Sequence, residues 1–483
     1  MSEKTGRVPQ MVHIVITLVL MFGIGFLPPV SALTVTRMKI IGILIGAIYG
    51  VTFCAPAWPC LMAMVAIGVL GISPVATILS SGLGSDSIML MLFFFIFVAV
   101  LDQNKITEFL ATWMITRKVV KGRPWLFSYF MIIGTMFSGA IGSSFPAMIV
   151  FWGILISTCN MYDIKPFTKY PTVMFIGITI GGLASSSTWL FRGNPLFVNG
   201  MLMEISKGTL SLNFGIYAAF SFIMWMVVIA GYILLCKYIF RIDLGAMKTI
   251  DDSVVNKSNL VLNKRQKVTL GYVVLVLVVY CGMGFTPASS ALGQYFTSLG
   301  VTLPIFLILA LMCITIVDGA PILNFPKAAS EGVSWDTIIL SGALLALSTI
   351  MMTSDTGVTE SILALLGPVF AGKGAVFMCI IIVVIAVVLT NFLANTTVGL
   401  MFVPVIFSFF QSMDFNPMPL VAMMLVSIHI AYLTPAASPF ASLLFGNSNW
   451  VRANDLYKYG VVACVGMVII FLLVGIPLSQ LIF

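Results

Sequence analysis

Leu389-Thr390-Asn391-Phe392-Leu393-Ala394-Asn395-Thr396-Thr397 interrupts an otherwise apolar stretch, 374–411, with five polar side chains in nine residues. An amide in so hydrophobic a run must find partners, and a helix that breaks there leaves backbone groups to be satisfied as well. A second stretch, 124–160, is broken in the same way by Gly142-Ser143-Ser144-Phe145-Pro146. A bilayer tolerates irregular backbone only where protein or a water-filled cavity satisfies it. Each stretch therefore reads as two short arms of a re-entrant hairpin lining a cavity.

The surroundings of these stretches are membrane-spanning in character. Apolar residues make up 60% of the chain and charged residues 8%, with a mean hydropathy of +1.12. A water-soluble surface cannot be built from that composition. Candidate spans are 11–28, 40–54, 58–71, 87–101, 171–187 and 214–240 in the first half, and 269–285, 301–318, 335–352, 417–433 and 458–482 in the second. The first apolar segment follows a short basic leader without a small-residue cleavage site and is read as a retained span. Between the halves lies Arg241–Lys267, the one long hydrophilic segment, which carries six basic residues against three aspartates. The net charge of +8 therefore reads as positive-inside orientation rather than as a nucleic-acid surface. It places the N-terminus and the central loop in the cytoplasm and the C-terminus outside, in a multi-pass protein of the cell membrane. The eight cysteines have no metal-like spacing and read as small core residues.

Local marks recur at a separation of about 250 residues. Asp86 pairs with Asp336, each read as the N-cap of a span, and Ile106-Thr107-Glu108 pairs with Val358-Thr359-Glu360. Gly142-Ser143-Ser144 pairs with Ala394-Asn395-Thr396, Gly193-Asn194 with Gly446-Asn447, and Phe214-Gly215 with Tyr459-Gly460. Five crossings per copy put the copies in opposite orientations. The expected fold is an all-α membrane protein of about eleven transmembrane helices in two inverted repeats, each with a re-entrant hairpin and a broken helix. The segments are an N-terminal helix (1–38), a first repeat (39–240), a cytoplasmic linker (241–267) and a second repeat (268–483).

Two further breaks follow the spans 171–187 and 417–433, namely Ala184-Ser185-Ser186-Ser187-Thr188 through Asn194, and Thr434-Pro435-Ala436-Ala437-Ser438-Pro439 through Asn447. A half-helix starting at each break presents free N–H groups and a positive dipole end, so four such ends converging would hold a small anion. Hydroxyls and carbonyls at the same breaks suit Na⁺. The candidate anion ligands are Ser143, Ser144, Ser187, Thr188, Arg192, Asn194, Asn395, Thr396, Thr434 and Pro435. Each carries a plainer alternative: the hydroxyls can back-bond to helix carbonyls, Asn395 can glue helices together, and Arg192 can snorkel to the interface. His429 is either a satisfied core histidine or a proton-carrying group. The sequence holds no nucleotide-binding loop, no metal cluster and no nucleophile with a base at plausible spacing, which argues against an ATP-driven pump or an enzyme and calls for no organic cofactor.

The run 389–397 and Leu433-Thr434-Pro435 resemble the divalent anion:sodium symporter family of the ion transporter superfamily, with Ala394 where that family's hairpin signature has serine. The resemblance implies a homodimer whose scaffold and transport domains are interleaved across both repeats, moving dicarboxylates, citrate or sulfate by an elevator motion. It implies one Na⁺ site from Thr390, Asn395 and the backbone near Leu393 and Leu433. Asn395, Thr396 and Thr434-Pro435 would then touch a substrate carboxylate. In the first half the corresponding Na⁺ site would draw on Ser138 and Ser143, but serine stands at the amide position, there is no Thr-Pro, and Arg192 intrudes. A sodium-independent anion exchanger, or a carrier of a smaller anion, fits these departures. Two other classes stay open: a cation/proton antiporter titrating at His429 and Asp318, and a channel or scaffold whose breaks are structural.

Overall fold

The computed structural model describes residues 10–27, 34–54, 57–115, 122–191, 193–247, 262–286, 290–300, 302–351, 374–412, 415–435 and 437–483. These are helical almost throughout. The exception is an antiparallel turn in which Ile316–Val317 pairs with Ala320–Pro321. Four helices among the described residues are long and apolar enough to cross a membrane: Pro124–Ile141, Ser144–Met161, Phe214–Tyr238 and Ala453–Ile482.

Both polar interruptions are hairpin tips. Pro124–Ile141 and Ser144–Met161 pack against each other across Gly142-Ser143, and Ala375–Thr390 and Asn395–Ser412 do so across 391–394. The arms are longer than the short ones expected. Eighteen residues in each arm of the first hairpin reach about 27 Å at 1.5 Å per residue. The polar tip stops each helix, whereas the apolar run before and after it stays helical, even through Pro404 inside Asn395–Ser412.

Each hairpin is followed by a helix, a gap, a second helix and then a long helix. In the first half these are Lys169–Ser186, Gly193–Ile205 and Phe214–Tyr238, and in the second Met418–Ser427, Pro439–Gly446 and the run from Ala453 to Ile482. Two expectations are corrected here. The second helix ends at Ser427, not near 433, and the half-helix after the gap begins at Pro439 with Ser438 as its N-cap, so 439–446 is helical rather than broken. Gly193-Asn194 thus opens a helix while Gly446-Asn447 closes one, and the structural counterpart of Asn194-Pro195 is Ser438-Pro439. Proline at the first turn costs no hydrogen bond, because the N–H it lacks has no partner there anyway. Asp86 and Asp336 sit one or two residues inside their helices, where a carboxylate complements the dipole, and Ser85 takes the N-cap position of the first. Val358-Thr359-Glu360 lies outside the described residues.

The halves interlock. Gly193–Ile205 packs on Asn395–Ser412 of the second hairpin, and Pro439–Gly446 packs on Lys169–Ser186. Phe440 of the latter stacks on Phe145 of the first hairpin with centroids 4.2 Å apart. Away from this centre, Ala57–Val69 packs against Val35–Phe53 and Trp335–Met351. Arg265 pins another junction: its Nε donates to Asn104 Oδ1 at 2.9 Å and its Nη2 to the carbonyls of Pro321 and Ile322.

Candidate functional site

The second hairpin tip folds onto the unwound segment 428–434, and Asn391 holds the two together. Its Nδ2 donates to the carbonyls of Val387 and Ile430, both at 2.8 Å. Its Oδ1 accepts the backbone N–H groups of Tyr432 at 3.2 Å and Leu433 at 2.9 Å, and its carbonyl accepts the Thr434 hydroxyl at 2.5 Å. Four bonds satisfy one amide side chain completely and replace helix bonds that the unwound backbone cannot make. The residue is 3% exposed. The sequence reading quoted Asn391 but gave it no role. Apart from Val387, its partners lie 39 to 43 residues away, where no local spacing reveals them.

Beside it, Thr390 Oγ1 lies 2.6 Å from the Ile428 carbonyl and 3.0 Å from Asn395 Oδ1. Three oxygens of neutral groups thus converge where one half's hairpin meets its unwound segment, the donor type that hard monovalent cations take. Thr390 and Asn395 are brought together as expected. Leu433 instead has its N–H on Asn391, and Ile428 supplies the neighbouring carbonyl. Leu393 stands in the turn, its N–H donating to Leu389.

Thr396 reaches the other half. Its hydroxyl donates to Asn194 Oδ1 at 2.6 Å, and Asn194 Nδ2 is 3.2 Å from His429 Nε2. His429 is fully buried, and its Nδ1 lies 2.7 Å from the Leu425 carbonyl. Gly193, at φ +63°, lets the chain reverse into this half-helix. Thr434 joins the hairpin tip through Asn391, its hydroxyl committed to the Asn391 carbonyl, and Pro435 is exposed beside it, its carbonyl accepting from Ser442. Ser438 was not among the sequence candidates. It caps the half-helix by accepting Ala441 N–H and donates to Ala431 O at 2.6 Å. The Ser-Pro pair carried the signal.

The first hairpin tip is built from smaller groups. Ser144 and Ser185 hydroxyls touch at 2.6 Å. Gly139 permits this, since a Cβ there would stand 2.6 Å from Ser185 Oγ. At Gly142 an added Cβ would lie 2.1 Å from Thr107 Oγ1, which accepts the Ser143 N–H at 3.4 Å. Ser138 is fully buried, and its hydroxyl has no partner among the described residues. The following gap is held from the terminal helix Phe214–Tyr238. Tyr217 and Ser221 donate to the Ser187 carbonyl at 2.7 and 3.2 Å, and Trp225 Nε1 donates to Ser187 Oγ at 2.5 Å. Ser187 and Thr188 also lie 3.0 Å from the Ala184 carbonyl and are fully buried. Their hydroxyls are engaged by the protein itself, as back-bonding residues are. Arg192 lies outside the described residues. Asp318 is exposed at the turn between the two short strands, so the structure does not join it to His429 in a buried titrating pair.

The sequence model of a family described as citrate transporter matches residues 51–425. Over 141 residues, 29% of the chain, it is 26% identical to a sodium-dependent low-affinity dicarboxylate transporter of Caenorhabditis elegans, covering 23% of that protein. Over 150 residues, 31% of the chain, it is 28% identical to the Na(+)/citrate cotransporter of Mus musculus, covering 26% of it. An uncharacterized transporter of Methanocaldococcus jannaschii is 26% identical over 171 residues, 35% of either chain. The matched part thus spans about a quarter to a third of these relatives' length. With paired hairpins, paired breaks and a family match over most of its length, the chain belongs to the citrate transporter family, of the divalent anion:sodium symporter type.

Proposed function

We propose that the protein is a secondary active transporter of small carboxylates of the di- or tricarboxylate type, coupled to Na⁺. The observation that carries this reading is the convergence of Thr390 Oγ1, Asn395 Oδ1 and the Ile428 carbonyl, one residue from a Thr396 hydroxyl that faces the other half. Na⁺ bound among those oxygens, with backbone near Leu393 and Leu433, would place positive charge beside the anion. The anion would be held by Asn395, Thr396 and Asn194, by the tip of the first hairpin at Ser143 and Ser144, by the unwound Thr434-Pro435 segment and by the half-helix mouth at Ser438. Ser187 and Thr188 belong to the wall. In the first half, the buried hydroxyl of Ser138, which has no partner among the described residues, fits a second cation with Ser143, although no amide stands there.

The same reading makes the hairpins and broken helices the moving body of a homodimeric elevator in the cell membrane, built from two inverted repeats, with N-terminus and central loop cytoplasmic. The test is uptake of labelled citrate and succinate by proteoliposomes. An inward Na⁺ gradient should drive accumulation, and Asn395→Ala should reduce it at least tenfold. Equal uptake in choline, driven by an internal counter-anion, would make the protein a sodium-independent exchanger. Undiminished uptake by Asn395→Ala would remove the site assignment.

A further inference from the structure

At the first hairpin tip one hydroxyl proton faces two acceptors. Ser185 Oγ lies 2.6 Å from Ser144 Oγ and 2.6 Å from the Gly182 carbonyl oxygen. A carbonyl only accepts, whereas a hydroxyl can do either, so two arrangements satisfy the geometry. In the first, Ser144 donates to Ser185 and Ser185 donates to Gly182, which leaves Ser144 only lone pairs to offer. In the second, Ser185 donates to Ser144, whose own proton is then free, and the Gly182 carbonyl keeps the helix bond from the N–H four residues on. Ser187 has no such choice. Trp225 Nε1 only donates to it, so its proton is fixed on the Ala184 carbonyl.

We infer that Ser185 is a positioning residue that sets the polarity of Ser144, and that the two hydroxyls together stand in for the amide this hairpin lacks. This rests on the carboxylate reading of the same site and adds how the first half meets the anion. In the second half one side chain carries acceptor and donor on separate atoms: Asn395 turns its Oδ1 to Thr390, which leaves its NH₂ for an anion. Ser143 and Ser144 have no such division. Ser185 supplies it, because a lone pair presented by Ser144 suits water or a cation and a proton presented there suits a carboxylate. When the anion arrives, the Ser144 proton turns to it and the Ser185 proton turns from Gly182 to Ser144. No proton changes oxygen and no covalent bond changes. A hydroxyl that accepts a hydrogen bond is also the better donor, so the second arrangement strengthens the contact with the anion. Ser185 is fully buried, whereas Ser144 keeps a small exposed surface, so of the two only Ser144 meets the ligand.

The surroundings are shaped for this contact. At Gly139 an added Cβ would stand 2.6 Å from Ser185 Oγ and 3.1 Å from Ser144 Cα, so only glycine lets the pair meet. Ser144 is the first residue of its helix, and no turn precedes it to which its hydroxyl could back-bond. The hydroxyls of residues 185 to 188 all back-bond into the last turn of Lys169–Ser186, and among the described residues Ser185 is the one that also meets the hairpin tip.

The experiment measures KM and kcat for citrate and succinate uptake by the full chain in proteoliposomes, for wild type, Ser144→Ala, Ser185→Ala, the double variant and Ser185→Cys. Ser185→Ala should raise KM about fivefold with kcat within about twofold of wild type, the mark of a lost binding contact. Ser144→Ala should raise KM about tenfold, and the double variant should stay at that value, because Ser185 acts through Ser144. Cysteine fills the slot but is a weak hydrogen-bonding group, so Ser185→Cys should share the raised KM, and it serves if alanine destabilises the fold. A KM that is unchanged or lowered in Ser185→Ala would overturn the inference alone. So would a double variant at the product of the single effects, about fiftyfold, which would make Ser185 independent of Ser144. A wild-type KM in Ser185→Cys beside a raised one in Ser185→Ala would reduce the role to packing and overturn it too. An unchanged KM in Ser144→Ala would remove Ser144 from the anion site, and the relay with it. No uptake of either carboxylate by wild type would overturn the functional reading, and this inference falls with it.

Discussion

The two broken segments face the same physical problem and are held from opposite sides. In the second half the unwound backbone is clasped by a side chain of its own hairpin, Asn391. In the first half the residue one step past Ser138 is Gly139, which has no side chain to give, and the gap at Ser187 is clasped by Tyr217, Ser221 and Trp225 of the terminal helix. A clasp from within couples the break to the hairpin tip, so the spacing of the Thr390, Asn395 and Ile428 oxygens is set by one hairpin and its own unwound segment. A clasp from the terminal helix couples the break to a long span instead. The half with the amide is therefore the one whose proposed cation donors are preorganised, and the half with the glycine trades that for close approach of Ser144 to Ser185.

The largest expected effect follows from emptying the inner clasp. Asn391→Leu keeps the branched outline but strands the amides of Tyr432 and Leu433 and the Ile430 carbonyl. At about 1–3 kcal/mol for each unsatisfied group, with partial relief from relaxation, the loss should be on the order of 4 kcal/mol. Thermal unfolding in detergent should show the lowest midpoint of any single variant in this region, and Na⁺-driven uptake should be lost. A midpoint matching wild type would mean that the unwound segment draws its partners from elsewhere, and the contrast between the halves would fail.

Next in size is the first hairpin tip. Gly142→Ala forces a methyl to 2.1 Å from Thr107 Oγ1, which is also bonded to Asp102 Oδ1 at 3.2 Å and so is not free to swing away. Overpacking of this kind costs about 1–3 kcal/mol. Removing the hydroxyl with Thr107→Ala should return much of the loss, so a double-mutant cycle should give strong coupling between positions 142 and 107. Additive effects would show that the tip relaxes without Thr107, and that the short helix Ile106–Ile115 does not seat the hairpin.

What could be read from the sequence, and what could not, divides along the same line. The hairpin tips were legible because Gly142-Ser143-Ser144 and 391–397 are polar interruptions in long apolar runs, a local signal that needs no partner. The pairing of Thr390 with Asn395 was implied by the family resemblance of the run 389–397, and the fold brings the two within 3.0 Å across the turn. The register of the second break was not. Pro435 and Pro439 each offer a proline suited to a first turn, and local preference does not choose between them. The choice is made by Asn391, which takes the amides of Tyr432 and Leu433 out of any helix. The pairing of Gly193-Asn194 with Gly446-Asn447 failed for the same reason, since identical dipeptides serve one helix start and one helix end. The back-bond of Ser187 to Ala184 was legible as a local alternative, but its clasp by three side chains 30 to 38 residues onward was not, since sequence spacing does not expose it.

The smallest effect tests the outer clasp, and its smallness is informative. Tyr217→Phe removes the 2.7 Å donor to the Ser187 carbonyl but leaves Ser221 Oγ at 3.2 Å, so the acceptor is not orphaned. The loss should be about 1 kcal/mol, the ordinary net value of one hydrogen bond. Ser221→Ala alone should cost no more. Together they strand a buried carbonyl, and the double variant should lose more than the sum of the two, approaching the desolvation penalty of an unpaired group. Additivity in this pair, measured by the same detergent melts, would mean that the Ser187 carbonyl does not depend on the terminal helix. The first break would then be as self-contained as the second, and the difference between the halves would reduce to which residue type stands beside each hairpin tip.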